Sequence, residues 1–155
     1  MAAIAAAQPA INTLWAVGSQ GSPQVFNVVA NVGDISGPGF SAAVVDVTSH
    51  SNADPWRSKV TTLLDPGDLS TKVFFIPSSP GTVVPGEQFG HSFTSGLGQV
   101  FSERQLREYK LTFPDPPATT WYLQSYLSKF SQTASVAGVL EMAATWTLTF
   151  EPILT

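Results

Sequence analysis

The amino-acid sequence predicts a mainly β domain, a β-sandwich or partly closed barrel of about six or more strands with one flanking α-helix. The clearest evidence is strict alternation over residues 139–150, where a period of two places six apolar side chains on one face of a strand. These are Leu140, Met142, Ala144, Trp146, Leu148 and Phe150. Glycine and proline, 12 residues each, supply turns, and helical spacing occurs in a single segment.

Two strands are predicted early in the chain. Residues 24–32 alternate apolar and polar side chains, and residues 40–48 are more continuously apolar. The glycine- and proline-containing stretch 33–39 between them provides turn residues. We therefore expect these two strands to form a hairpin with a loose connection.

A third strand, a helix and a fourth strand follow. The third strand covers residues 69–76 and ends before Pro77. In residues 84–101 the large apolar residues take the spacing of one helical face, although two glycines disfavour a helix there; they are Phe89, Phe93, Leu97, Val100 and Phe101. The fourth strand covers residues 107–113, and the proline-rich turn 114–117 leads to a long final pair.

The first strand of that final pair, residues 121–130, has large apolar side chains on both faces. One face carries Trp121, Leu123 and Leu127, and the other carries Tyr122, Tyr126 and Phe130. A strand of this kind needs cover on both sides, which a chain of 155 residues can rarely provide. The pattern therefore predicts assembly with other subunits.

We expect one domain over residues 1–155 with two irregular segments. An N-terminal arm, residues 1–23, shows little periodicity and is expected to order only against a partner; its Trp15 packs either on its own domain or on a neighbour. The loop 49–68 contains at most a short helical turn, and irregular loops of about 20 residues are usually functional or disordered. Its large apolar side chains favour function: Trp56, Leu63 and Leu64.

Composition excludes several classes of protein. The net charge of −4 and the dilution of the few basic residues by acidic ones argue against a nucleic-acid reader. The chain contains no cysteine, and no apolar run approaches the roughly 18 residues of a membrane span. No signal peptide is predicted. Charged residues make up 12%, about half the usual share, so we expect much of the exterior to be covered.

No catalytic or metal-binding constellation is predicted. His50 lies near Asp46 and Asp54 in sequence, but no second histidine stands at ligand spacing. His91 is not framed by a nucleophile motif. We therefore expect a chain that is not an enzyme and that holds no metal and no cofactor.

Several short motifs, in order, carry a resemblance to a known family. They are residues 45–49, Val-Asp-Val-Thr-Ser; Arg57; residues 64–70, Leu-Asp-Pro-Gly-Asp-Leu-Ser; residues 111–115 and 119–123; and the closing Phe150-Glu151-Pro152. Over roughly residues 25–152 the sequence resembles the major tail tube proteins of long-tailed (siphovirus-type) bacteriophages. It departs from them where Phe89 and Gly90 precede His91, since many relatives carry an aspartate and a histidine at the helix start.

The resemblance implies a subunit of a hexameric ring whose inner sheets form a joint β-barrel. Such rings stack into the tube through which DNA is ejected, without sequence-specific DNA binding. In that family the loop 49–68, the arm 1–23 and the C-terminal tail 151–155 would join successive rings. The implied partners are a tape measure protein and tail terminator and initiator proteins; the implied location is the phage tail of the virion, after synthesis in the host cytoplasm. A contractile-tail relative stays open.

Two sets of residues are the candidate sites. Subunit or inter-ring contacts are expected at Trp15, Trp56, Arg57, Leu63, Leu64, Asp65, Asp68, Tyr122 and Tyr126. The lumen is expected to be lined by the polar face of the last strand, which offers no cation for phosphate to bind: Glu141, Thr145, Thr147 and Thr149. The alternative is a monomeric β-sandwich that binds a ligand or decorates a surface, which would present an exposed aromatic platform.

Overall fold

The computed structural model describes residues 11–20, 23–51, 53–81 and 87–155. Within these ranges the chain forms nine strands and one short helix, which confirms the predicted mainly β fold with a flanking helix. In chain order the elements are β1 Leu14–Gly18, β2 Phe26–Val28, β3 Val32–Ser36, β4 Ser41–Asp46, β5 Lys59–Asp65, β6 Asp68–Phe74, α1 Leu97–Ser102, β7 Leu106–Thr112, β8 Thr120–Ala134 and β9 Leu140–Leu154.

Seven strands form one curled antiparallel sheet in the order β2-β1-β7-β8-β9-β6-β3. Its two edge strands, β2 and β3, are consecutive in the chain, and only residues 29–31 separate them. Four Cα steps of about 3.8 Å keep these edges within about 15 Å of each other. The sheet must therefore curl towards closure, which gives the partly closed barrel that the sequence predicts.

The core lies on the concave side of this sheet and is organised around three aromatic rings. Trp15 stacks on Tyr109 with ring centroids 4.9 Å apart, and Trp146 meets both rings edge-on at 5.4 and 5.8 Å. All three side chains are fully buried. Helix α1 packs against β8 and buries Leu97 and Val100.

The two long antiparallel strands predicted at the end of the chain are present as β8 and β9, 15 residues each. Along β9 the predicted core face is correct from Leu140 to Leu148, because the residues of that parity are buried or half-buried. The prediction is wrong for Phe150. That residue has a positive φ of 62° and is 66% exposed, so the alternation stops there.

Strand β8 also departs from regular alternation. Its register against β9 shifts between Leu127 and Lys129, which is a β-bulge, and Phe130 consequently pairs with Ala144 on the core side. The expectation that Phe130 shares the outer face with Tyr122 and Tyr126 is therefore wrong. The strand needs less external cover than its sequence suggests.

The predicted N-terminal arm is wrong for its second half. Residues 14–18 form β1, which lies inside the sheet between β2 and β7. Trp15 packs on its own domain, so its side chain is not available to a neighbouring subunit. A five-residue strand is too short for periodicity to reveal it. The other part of the predicted arm, residues 1–10 and 21–22, lies outside the described residues.

The predicted hairpin of residues 24–32 and 40–48 is also wrong. Asn31 has a φ of 55°, a left-handed conformation that asparagine tolerates, and it divides the first of these segments into β2 and the start of β3. Strand β2 pairs with β1, β3 pairs with β6, and β4 pairs with β5. Alternation located the strands but carried no information on their partners.

The helix is shorter than the predicted segment 84–101 and begins at Leu97. Residues 82–86 lie outside the described residues. Phe89 instead pairs with the edge of the sheet: its N–H donates to the Val28 carbonyl at 2.7 Å, and its carbonyl accepts from the Ala30 N–H at 2.9 Å. Tertiary pairing thus overrides the helical spacing.

Replacing Trp15 by alanine tests its assignment to the core. We expect Trp15→Ala to lower the free energy of unfolding by about 3–5 kcal/mol, because it removes a fully buried ring from a packed aromatic cluster. The matched control is Trp56→Ala at an exposed position, which should change it by less than about 0.5 kcal/mol. Denaturant unfolding at a concentration where the chain is monomeric measures both. Equal effects would contradict the central position of β1.

Candidate assembly surfaces

Strands β4 and β5 form a two-stranded hairpin separate from the large sheet. The irregular loop predicted at 49–68 is therefore wrong over residues 59–65, which are strand, and the short helical turn predicted at 56–64 is absent from this described segment. The pairing runs from Ser41 opposite Asp65 at the root to Asp46 opposite Lys59 near the tip. The consecutive β-branched residues Val60, Thr61 and Thr62 suit this extended conformation.

The β4–β5 hairpin is exposed over its whole length. Every residue of both strands is exposed. Val45 pairs with Val60 on one face, while Val44 and Leu64 belong to the other. Leu63 and Leu64 are 78% and 81% exposed. Isolated two-stranded hairpins are marginally stable in water, and the apolar side chains on both faces make this hairpin a candidate contact surface.

The tip of the hairpin is ordered by local polar contacts. Thr48 donates to the Asp46 carboxylate from its hydroxyl at 2.6 Å and from its N–H at 2.9 Å, which lowers the pKa of Asp46. Arg57 forms an exposed ion pair with Asp46 at 3.6 Å. Trp56, next to Arg57, is 80% exposed. The predicted contact residues Trp56 and Arg57 therefore lie together at the tip.

The root of the hairpin is tied to the body of the domain. The Asp65 carboxylate accepts the Gly67 N–H at 2.8 Å, and the Gly67 carbonyl accepts the Leu148 N–H at 3.0 Å. Gly67 has a φ of 72°, and a Cβ there would lie 2.2 Å from the Gly39 carbonyl oxygen, so another residue would not fit. The next residue, Asp68, begins β6. Asp65 and Asp68 therefore bracket the turn that fixes the direction of the hairpin.

The second surface is the outer face of the large sheet, the face opposite the core. The four residues predicted to line the lumen share this face, because all have the parity opposite to Trp146. Thr147 donates to the Ser128 hydroxyl at 2.9 Å, and Ser128 donates to the Thr145 carbonyl at 3.0 Å. Hydroxyl groups thus bridge β8 and β9 across the middle of the face.

Charges of both signs lie on the outer face. Among the described residues, cross-strand register places three lysines on it, Lys72, Lys110 and Lys129, and four carboxylates, Asp34, Asp68, Glu108 and Glu141. Lys72 pairs with Glu141 at 3.0 Å. The expectation that this face offers no cation holds for β9, but neighbouring strands contribute lysines. The structure also places Tyr122 and Tyr126 here; Tyr122 packs edge-on against Phe26 with ring centroids 5.6 Å apart.

The predicted contact residues therefore fall into three places. Trp15 lies in the core. Tyr122 and Tyr126 lie on the outer face. The remainder lie on the hairpin or directly after it: Trp56, Arg57, Leu63, Leu64, Asp65 and Asp68.

A groove at the root of the hairpin was not predicted. It has a volume of about 640 Å³ and is called the root groove below. Its described lining residues are Phe40, Ser41, Leu64, Asp65, Pro66, Phe150, Glu151, Pro152 and Leu154. The predicted tail 151–155 continues β9 as far as Leu154, which pairs with Trp121. Nothing in the alternation indicates this groove, because Phe150 and Pro152 keep the apolar parity of Leu148.

His91 is a structural residue. Its fully buried ring accepts the Ile76 N–H at Nδ1, 3.1 Å away, and donates from Nε2 to the Ala30 carbonyl at 2.8 Å. It thus joins the connection between β2 and β3 to the residues after β6. Among the described residues, no three or more histidine, aspartate or glutamate side chains cluster as a metal site would require. No helix in the described ranges is long and apolar enough to cross a membrane.

The acid stability of the chain tests this role of His91. Burial lowers its pKa, and the hydrogen bond to Ala30 opposes that shift only partly. The unfolded chain therefore binds a proton below about pH 6.5 that the folded chain does not, so stability is complete above that pH and falls by up to about 1.4 kcal/mol per unit on acidification. We expect His91→Gln to remove this decrease, measured by denaturant unfolding between pH 7.5 and 4.5. The exposed control His50→Gln should retain it; a decrease that persists in His91→Gln would contradict the assignment.

Comparison with known proteins defines the class of fold. No protein-family model and no curated protein sequence matches the chain. Solved structures do match: a chain of the native gene transfer agent virion (TM-score 0.68, 17% identity, 96% of this chain and 99% of that one) and a chain of the tail of the empty gene transfer agent particle, refined with helical and C6 symmetry (0.66, 19%, 96% and 99%). The sheath/tube terminator structure of an extracellular contractile injection system also matches (0.64, 8%, 99% and 99%).

The chain therefore has a tail tube-like fold. Each match covers nearly the whole of both chains, so the likeness concerns the complete domain and includes the hairpin and the curled sheet. The likeness to tail tube proteins expected from the sequence is confirmed at the level of fold. The matches include a contractile injection system, so the long-tailed phage type is not distinguished from it.

Proposed function

We propose that this chain is the structural subunit of a tail tube, which self-assembles into hexameric rings that stack around a channel for DNA. The observation that carries the proposal is the β4–β5 hairpin, exposed at every strand residue and apolar on both faces. A similar fold occurs in a tail refined with C6 symmetry. The proposed location is the tail of a virion, after synthesis in the host cytoplasm, with a tape measure protein and tail terminator and initiator proteins as partners.

Contact through the hairpin accounts for the exposed apolar surface. The hairpin projects away from the sheet. A neighbouring copy would therefore contact it with a different part of its own surface. Such a contact between unlike surfaces is heterologous, and heterologous contacts close into rings or extend into filaments. Either outcome buries Leu63, Leu64 and the exposed valines of the hairpin. It also protects the outer edges of β4 and β5, which would otherwise pair with other chains at random.

The outer face of the sheet has the chemistry of a DNA channel wall. Affinity for DNA comes mainly from cations that neutralise phosphates. On this face the three lysines are outnumbered by four carboxylates, and threonine and serine hydroxyls bridge β8 and β9. A wall of this composition stays hydrated and does not hold a passing phosphate backbone. We propose that Glu141, Thr145, Thr147 and Thr149 line the lumen.

Disrupting the apolar hairpin tests assembly. The paired change Leu63→Asp and Leu64→Asp should abolish rings and tubes in negative-stain microscopy, or raise the concentration needed for assembly at least about 100-fold, because each buried leucine contributes about 1.5–3 kcal/mol. Unfolding of the monomer should be unchanged, since both residues are exposed. The control Val136→Asp lies in the exposed turn between β8 and β9 and should assemble normally. A wild-type chain that stays a 16.5 kDa monomer, even with tail initiator present, would favour the monomeric binding module.

Adding cations to the outer face tests the lumen assignment. We expect the triple change Thr145→Lys, Thr147→Lys and Thr149→Lys to leave tubes intact but to slow or stop DNA delivery, because six copies of each lysine would attract phosphates along the channel. DNA release from assembled particles, followed by a fluorescent dye, gives the rate. The control Ser102→Lys places a cation at the exposed end of α1 and should have no effect. Unchanged delivery by intact triple-lysine tubes would remove these residues from the lumen.

A further inference from the structure

The root groove is built around a residue in an unusual conformation. Phe150 has a φ of 62°, in the left-handed region that residues with a Cβ rarely adopt. The alternation of β9 would otherwise direct its ring to the core side, as it directs Trp146. Instead the ring is 66% exposed and lines the groove with Phe40 and Leu154. Strained conformations persist where the surrounding structure imposes them, and they cluster at functional sites.

The root groove is apolar with an acidic border. Six of its nine described lining residues are apolar: Phe40, Leu64, Pro66, Phe150, Pro152 and Leu154. Two carboxylates, Asp65 and Glu151, stand among them, and no described lining residue is a cation. An occupant that satisfies both features combines a flat apolar group with a positive charge. Arginine beside an aromatic ring has this combination, because a guanidinium binds carboxylates and also stacks on rings.

The tip of the hairpin presents such a pair in Trp56 and Arg57. Both side chains are about four-fifths exposed. The ion pair between Arg57 and Asp46 is long, at 3.6 Å, and lies in solvent, where such pairs stabilise little. Arg57 can therefore exchange this partner for another carboxylate at small cost.

The tip cannot reach the root groove of its own chain. The groove includes Leu64 and Asp65 at one end of β5, whereas the tip follows Lys59 at the other end. Six residue steps of about 3.3 Å place these ends about 20 Å apart along a paired strand. The complementary surfaces must therefore meet between different copies.

We propose that the root groove of one copy receives Trp56 and Arg57 from the hairpin tip of a second copy. The indole ring packs on Phe150, and the guanidinium binds Glu151 and Asp65. The inference rests on the proposed function, because it requires identical copies to assemble. It adds to that function a specific receptor surface for the tip. It also explains the conformation of Phe150, which exposes the ring for this contact.

This contact has a direction. Each copy donates one tip and accepts one tip, so the contact repeats from copy to copy without using the same surface twice. The tip offers the Arg57 cation and the groove offers two carboxylates, so a root-to-root pairing would bring carboxylates together and a tip-to-tip pairing would bring two arginines together. The arrangement therefore selects one register between neighbouring subunits.

Charge reversal tests the pairing. Arg57→Glu alone and Glu151→Arg alone should each raise the concentration needed for assembly at least about tenfold, and the double variant should restore it to within about threefold of wild type. The control Arg104→Glu reverses an exposed cation after α1, outside the groove and the tip, and should assemble as wild type does. Circular dichroism establishes that each variant is folded. Failure of the folded double variant to recover, after both single changes had impaired assembly, would overturn the pairing.

Cross-linking separates this inference from the proposed function. The chain has no cysteine, so Arg57→Cys and Glu151→Cys can be made in separate chains, mixed during assembly and treated with a short bismaleimide. We expect a covalent dimer from the mixture that is at least about tenfold more abundant than from Arg57→Cys mixed with Val136→Cys. Tubes that form normally without the specific dimer would overturn the inference and leave the proposed function standing. A wild-type chain that forms neither rings nor tubes would overturn both.

Discussion

The long pairing of β8 with β9 is the interaction on which the rest of the structure depends. Both strands continue for 15 residues, and together they form the centre of the seven-stranded sheet. Their core side carries Trp146 into the aromatic cluster, and their outer side carries the hydroxyl groups that join Thr147 to Ser128. Because the period of a strand is two, the same backbone supplies a buried core face and a polar outer face. Neither surface could change register without the other.

The sequence predicted most where the determinants are local. Strict alternation through Trp146 identified the long pair and its core face, and the ends of β6 and β7 were predicted to within two residues. It failed where a contact distant in sequence decides the conformation. The bulge that returns Phe130 to the core depends on register against β9. The helical spacing around Phe89 gives way to pairing with an edge strand. The pairing of the strands could not be predicted either, because a strand shows the same alternation whichever strand lies beside it.

Composition predicted residues of the candidate surfaces, but it did not predict their strand conformation. Trp56, Leu63 and Leu64 were recognised as unsuited to a solvated loop, and all three are strongly exposed. Their strand conformation was not recognised because both faces of β4 and β5 are apolar, so no period of two separates inside from outside. Trp15 was the opposite case. The short segment around Trp15 shows no periodicity, yet the Trp15 side chain is fully buried. Its burial comes from β2 and β7, which flank β1 only in the folded sheet.

The hairpin is attached to the body of the domain at its root. Its root is fixed by Gly67, whose carbonyl is bonded to Leu148 and whose positive φ closes the turn. Beyond the root, its strands pair with each other and bury little, and two-stranded pairings of this kind contribute marginal stability alone. Segments with few buried contacts open at low free-energy cost. In the proposed assembly, a contact that covers both apolar faces would raise that cost and make the hairpin more rigid. The body of the domain, packed around Trp15, Tyr109 and Trp146, needs no such contact. In the proposed assembly, the body of the domain would therefore fold before its hairpin meets another copy.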